Sequence, residues 1–213
     1  MVSAVPGKAP PSRMSGKNRR QQIVVVASEL FARKGFSGTT TKEIAEGAGV
    51  SEAIIFRHFA SKDELYAAIL DFKVKQGTER MKAQLEEAAG RKDDRAFFGS
   101  LAFEMLDFHS KDRTFMRLLL FSALEGHELS DIFFDSTARD FKNHIRKYIK
   151  QRISDGAFRS IDPAVAARAF VGMVLHQVQA RTIFSDDDVK LSNRQIADRF
   201  VEIFLNGVRD PEG

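Results

Sequence analysis

The sequence predicts an all-α protein, and three observations carry that prediction. From Lys17 onward apolar residues recur with helical period, as Ile23, Ala27, Leu30 and Phe31 do in the first such stretch. No segment shows the strict alternation of a strand. Glycines and helix-capping residues also punctuate the chain at helix-length intervals, including Gly35, Gly90, Gly126, Gly156 and Asp162-Pro163.

The elements follow in order. Residues 1–16, with three of the five prolines, read as a disordered arm. A first helix runs from about Lys17 to Gly35, closing on Arg33 and Lys34. Thr40 caps a short second helix, with Glu43 completing a capping box, and that helix stops near Gly47. Ala48-Gly49-Val50 makes a tight turn in which glycine supplies positive φ, and Ser51 starts a third short helix ending near Arg57. Ser61, boxed by Glu64, starts a long fourth helix that passes Leu85, with a possible bend at Gly77. Further helices are placed at about 93–109, 112–124, 128–154, 163–184 and 192–208, Asp162 and Pro163 opening the fourth of these.

Composition limits function. The absence of Cys removes disulfides, zinc-thiolate sites and cysteine nucleophiles. No apolar run approaches the roughly 18 residues of a membrane span, and the N-terminus lacks a signal-peptide stretch, so the expected location is cytoplasmic. Residues 1–62 hold 10 Lys/Arg against 4 Asp/Glu, leaving 23 against 25 in 63–213. A basic head on a near-neutral body fits a polyanion binder with a second function. Glu-x-x-His pairs, HExxH and a phosphate loop are all missing, so the chain is read as a non-enzyme with no cofactor and no metal.

Two short helices joined by Ala48-Gly49-Val50 after a longer amphipathic helix fit a helix-turn-helix. Val50, Ile55 and Phe59 point back to Ile44, Ala45 and the first helix, leaving Ser51, Glu52, Ala53, Ile54, Phe56 and Arg57 on or near the outward face. A helix of this size enters the major groove.

The run TTTKEIAEGAGVSEAIIFRHFASKDEL, Thr39 to Leu65, resembles the head of the TetR family of bacterial repressors. The IA-x-x-AGVS block, the aromatic-x-x-F close and the following SK-x-E-L stand at the family's spacing. The rest of the chain resembles the family in length, helix content and the closing segment Phe200 to Gly207. The resemblance implies a homodimer on a near-palindromic double-stranded DNA operator, with a larger C-terminal domain that binds a small-molecule effector and dimerises through the last two helices. The domains expected are 17–62 for the head and 63–213 for the body.

Carried over from the family, Thr40, Thr41, His58 and Lys62 join Ser51, Glu52, Ala53, Ile54, Phe56 and Arg57 as expected DNA-contacting residues. Simpler roles stay open: Thr41 as a cap, Lys62 as a solvated lysine, His58 as a packing residue. The family usually has Lys-Gly-Thr-Leu-Tyr where this chain has Glu52-Ala53-Ile54-Ile55-Phe56. Phe56 has no hydroxyl for a phosphate. Glu52 either accepts from cytosine N4 or weakens the grip.

The chain has 19 Phe, and eight crowd residues 97–134. Phe97, Phe103, Phe108, Phe115, Phe121 and Phe134 are either core or the wall of a pocket for an apolar or aromatic ligand. His176 is either a polar anchor in that pocket or a core or interface histidine. The stripes Val165, Ala169, Gly172, Met173, His176, Ala180 and Ile196, Phe200, Ile203, Phe204 suit a dimer interface or intrachain packing.

Overall fold

The computed structural model describes residues 16–127, 138–186 and 188–209, and of residues 76–80 the backbone only. The described elements are helical: α1 (Gly16–Lys34), α2 (Thr41–Gly47), α3 (Glu52–His58), α4 (Lys62–Gly90), α5 (Asp94–Lys111), α6 (Thr114–Leu124), α7 (Arg139–Ser154), α8 (Pro163–Thr182) and α9 (Asn193–Val208). Of the expected arm at 1–16, Gly16 already belongs to α1, while residues 1–15, Phe133, Phe134 and the stretch 128–137 lie outside the described residues.

Local chemistry explains the boundaries. Thr40 Oγ1 accepts from the Glu43 amide at 3.2 Å while Glu43 Oε2 accepts from the Thr40 amide at 2.9 Å, so two otherwise unpaired donors are satisfied. Ser61 caps α4 through the Glu64 amide, and Asp162 accepts from the amides of Ala164 and Val165 with Pro163 in the first turn of α8. Ser192 and Gln195 form a second capping box at α9. α4 runs past Leu85 as one helix to Gly90.

Two cores organise the packing. The larger is built by α4's C-terminal half, α5, α7, α8 and α9 around Phe97, Phe98, Tyr148, Phe170 and Phe204. Phe97 lies flat on Tyr148, ring centroids 3.9 Å apart. Beside it Arg152 grips Asp94 with Nε to Oδ1 at 2.8 Å and Nη2 to Oδ2 at 3.1 Å, and Tyr148 donates to the same carboxylate at 2.6 Å. The smaller core holds Ile23, Ala27 and Phe31 of α1, Ile44 and Ala45 of α2, Ile55 of α3, Phe59, and Leu65, Tyr66 and Ile69 of α4. Phe115, Leu118 and Leu119 of α6 belong to this second core, so packing crosses the expected boundary at residue 62. Among the described residues no helix is long and apolar enough to cross a membrane.

Candidate nucleic-acid interface and effector cavity

The helix-turn-helix is set from behind. Gly49 takes φ +62, and the Val50 amide returns to the Ala45 carbonyl at 2.9 Å, folding α3 back across α2. Gln22 Nε2 donates to the Ala48 carbonyl at 3.2 Å, fixing the turn to α1. Ile55 and Phe59 are each 1% exposed and clamp α3 to the core, while the Arg20 guanidinium lies 4.5 Å over the Phe59 ring.

That backing turns one side of α3 outward. Ser51, Glu52, Ala53, Phe56 and Arg57 are exposed, Phe56 at 49%, whereas Ile54 and His58 are half-buried and Ile54 packs partly on the core. Three polar groups expected at DNA are engaged within the protein. The Thr40 hydroxyl is held in the capping box. Thr41 donates to Glu52 Oε2 at 2.6 Å, so the carboxylate that α3 brings forward sits on the hydroxyl that opens α2. The Lys62 ammonium lies 4.2 Å over the Phe36 ring, and desolvation lowers its pKa from the ordinary lysine value.

A joint ties this head to α6. Glu125 Oε2 accepts from the amides of Phe36 at 2.9 Å and Ser37 at 3.4 Å, directly after α1 ends at Gly35 with φ +75. Arg117 Nε donates to the Ala32 carbonyl at 2.7 Å, and buried Tyr66 donates to the Leu118 carbonyl at 2.7 Å. At the other end of α6, Ser28 donates to Thr114 at 3.4 Å, and Lys73 of α4 pairs with Asp112. Burial alone would raise the Asp112 pKa, but the hydrogen bonds from Lys73 and Thr114 outweigh it and hold the carboxyl below its usual range. The sequence does not announce these links, because each joins residues far apart in the chain.

The described residues of the expected aromatic wall are distributed between the two cores and the surface. Phe97 is fully buried, and Phe115 is nearly so, in the head core. Phe108 packs edge-on to Phe115, Phe103 lies under the Arg194 guanidinium at 4.0 Å, and Phe121 lies beneath Arg117 at 6.0 Å. None of these five borders the two cavities described next. His176 is exposed and borders a shallow cavity of about 320 Å³ with Met173, Val189 and Phe200. A neighbouring cavity of about 450 Å³ opens where α5 ends, between α8 and the start of α9, and polar residues line it beside Leu106 and Val178: His109, Ser110, Arg113, Gln177, Arg181, Asp186 and Asn193 are among them.

Comparison with known proteins decides the family. The family model for bacterial regulatory proteins of the tetR family matches residues 23–69, and the model for the C-terminal domain of AefR-like transcriptional repressors matches residues 101–207. The chain belongs to the TetR family. Among TetR relatives it is 27% identical over 191 residues to the HTH-type transcriptional regulator YvkB of Bacillus subtilis, covering 88% of this chain and 96% of that one. It is 22% identical over 221 residues to the HTH-type transcriptional repressor KstR2 of Mycolicibacterium smegmatis, covering 96% and 98%. The fold superposes with a TM-score of 0.69 on AibR in complex with isovaleryl coenzyme A and operator DNA, at 22% identity over 87% of this chain and 97% of that one. FadR of Bacillus subtilis, in complex with stearoyl-CoA, gives the same score at 19% identity, covering 89% and 99%. As a TetR-type chain this is a DNA-binding transcriptional regulator with an N-terminal helix-turn-helix and a C-terminal helical domain.

Proposed function

We propose that this chain is a repressor that occupies a near-palindromic operator as a homodimer and leaves it when a small molecule binds the C-terminal domain. The observation that carries the reading is α3: a short helix anchored by Ile55 and Phe59, with Glu52, Ala53, Phe56 and Arg57 presented outward at the spacing of the TetR head. Ser51, Ile54, His58, Thr40, Thr41 and Lys62 flank that surface and complete the proposed contact set. KstR2 is a repressor, and AibR holds both an acyl-CoA and operator DNA, which supports a ligand-released repressor here. Exposed Val165 of α8 and Ile203 of α9, with open space at Gly172, supply an apolar face for the dimer. A DNA-binding regulator of this kind works in the cytoplasm.

In a dimer the two α3 helices must sit about 34 Å apart, or a multiple, to enter successive major grooves. A ligand that prefers another spacing lowers operator affinity by the ratio of its affinities for the two states. The head joint gives this a path: α6 touches α1 through Thr114, Arg117 and Glu125, so a shift of α6 moves the head.

Selection of bound fragments from random DNA by the purified chain tests the reading. Two related half-sites are expected; failure to enrich any sequence would sink it. On that operator Glu52→Ala separates two roles of the carboxylate. If Glu52 reads a base, the variant relaxes preference at one position per half-site. Unchanged preference with tighter binding means instead that Glu52 only withholds the Thr41 hydroxyl from phosphate.

A further inference from the structure

The cavity at the end of α5 has features that helix packing does not require. His109 is 6% exposed, stacked on Phe115 with centroids 5.8 Å apart, and its Nδ1 has no hydrogen-bond partner among the described residues. Buried polar atoms of folded proteins are nearly always satisfied, so an unpaired one on a residue that lines a cavity is consistent with a ligand that enters there. Burial lowers the His109 pKa to about 4, against a smaller opposing effect of Asp112, so the ring is neutral and has a nitrogen free to donate or accept.

The charge around the cavity is also lopsided. Arg113 and Arg181 both line it, and Asp186 is the acidic residue among the described lining. Neutral oxygens hold Arg181 in place: Asn193 Oδ1 at 3.0 Å and the carbonyls of Val189 and Leu191 at 3.0 and 2.8 Å. Its Nε is buried and without a partner among the described residues. Arg113 makes no ion pair with a described residue. Two arginines line one space, one of them with its guanidinium fixed by neutral acceptors, and guanidinium groups suit an anion with planar oxygens.

We propose that this cavity is the effector site and that the effector is a small organic carboxylate, its charged end between Arg113 and Arg181 and a polar atom near it on His109. The proposal rests on the reading of the chain as a ligand-released regulator. The cavity is of a size that holds a small organic molecule, and its position explains the release. Arg113 stands between Asp112, which pairs with Lys73 of α4, and Thr114, which contacts Ser28 of α1. A carboxylate that draws Arg113 inward therefore pulls on the residue between two links to the head.

The test uses the full chain with hexanoate and benzoate, and with hexanamide and benzamide as neutral counterparts of the same shape. Calorimetry and the melting temperature report binding, and displacement from the selected operator reports release. Carboxylates are expected to bind roughly tenfold or more tightly than their amides, and Arg113→Gln and Arg181→Gln each to lose roughly tenfold in carboxylate affinity. Arg181 also organises the segment before α9, so the surface variant Arg113→Gln is the cleaner one. Equal binding of amide and carboxylate, carboxylate binding untouched by Arg113→Gln in a folded protein, or no binding of either carboxylate at millimolar concentration would overturn the proposal. Carboxylate binding that needs Arg113 but leaves the operator complex intact keeps the site and refutes ligand release, so the two failures are distinguishable.

Discussion

Replacing Gly35 with alanine tests the joint between head and body quantitatively. Gly35 has φ +75, a left-handed conformation that costs a residue with a Cβ about 1–2 kcal/mol. An added Cβ would also run into Glu125 Oε1. The carboxylate ends a flexible side chain and swings away easily, but it then gives up the amides of Phe36 and Ser37. At an exposed site those two bonds are worth about 1 kcal/mol together. Gly35→Ala should therefore destabilise the head by about 2–3 kcal/mol, whereas in a Glu125→Ala background the same change should cost only the backbone strain, about 1–2 kcal/mol. The two tyrosines divide between the two cores, Tyr66 in the head and Tyr148 in the body, and the chain has no Trp. Urea unfolding followed by tyrosine fluorescence in a Tyr148→Phe background thus reports the head. Additivity of the two substitutions within about 0.3 kcal/mol would refute the claim that Glu125 is what the new methyl group displaces.

Other outcomes follow from the described contacts. Asp94→Ala removes the acceptor shared by Arg152 and Tyr148, and should lower stability by about 2–4 kcal/mol in denaturant titration, with Asp94→Asn milder. Lys73→Met leaves a half-buried Asp112 without its cation and should cost about 1–3 kcal/mol, measured the same way. The folded His109 pKa of about 4 lies below the ordinary 6.5, so the unfolded chain takes up the proton first. Stability should therefore fall as pH drops from about 6.5 towards 4, by up to roughly 1.4 kcal/mol per pH unit, and His109→Gln should flatten that part of the profile relative to the parent.

Much of the fold is legible in the sequence because helix ends advertise themselves. Thr40 with Glu43, Ser61 with Glu64, and Asp162 before Pro163 are local devices, and each sits where its spacing places it. The outward surface of α3 is legible for the same reason, since burying Ile55 and Phe59 fixes the opposite side of a seven-residue helix. What lies across from a buried stripe is not local. Dense phenylalanines between 97 and 134 announce apolar burial, but periodicity cannot separate a core from a cavity wall, and Phe97 meets Tyr148 where an open space was equally compatible with the sequence. The cavity residues are hidden differently. Arg181 in the last turn of α8 reads as an ordinary partner of the helix dipole, and Arg113 beside Asp112 reads as a solvated loop charge. The bond from Thr41 to Glu52 has no sequence signature, because it depends on how the turn at Gly49 sets two helix starts against each other.

The side chains of Phe115, Leu118 and Leu119 bear on what can be exchanged between relatives. Because α6 supplies part of the hydrophobic floor beneath α1 and α4, a head cut out after Lys62 would leave that floor behind and expose its own underside to water. Grafting a foreign DNA-reading module onto this body therefore demands that the donor's α1 and early α4 match the α6 surface in shape. The seam where specificity can be traded runs through the middle of a shared core, and a useful chimera would have to carry α6 contacts along with the reading helix.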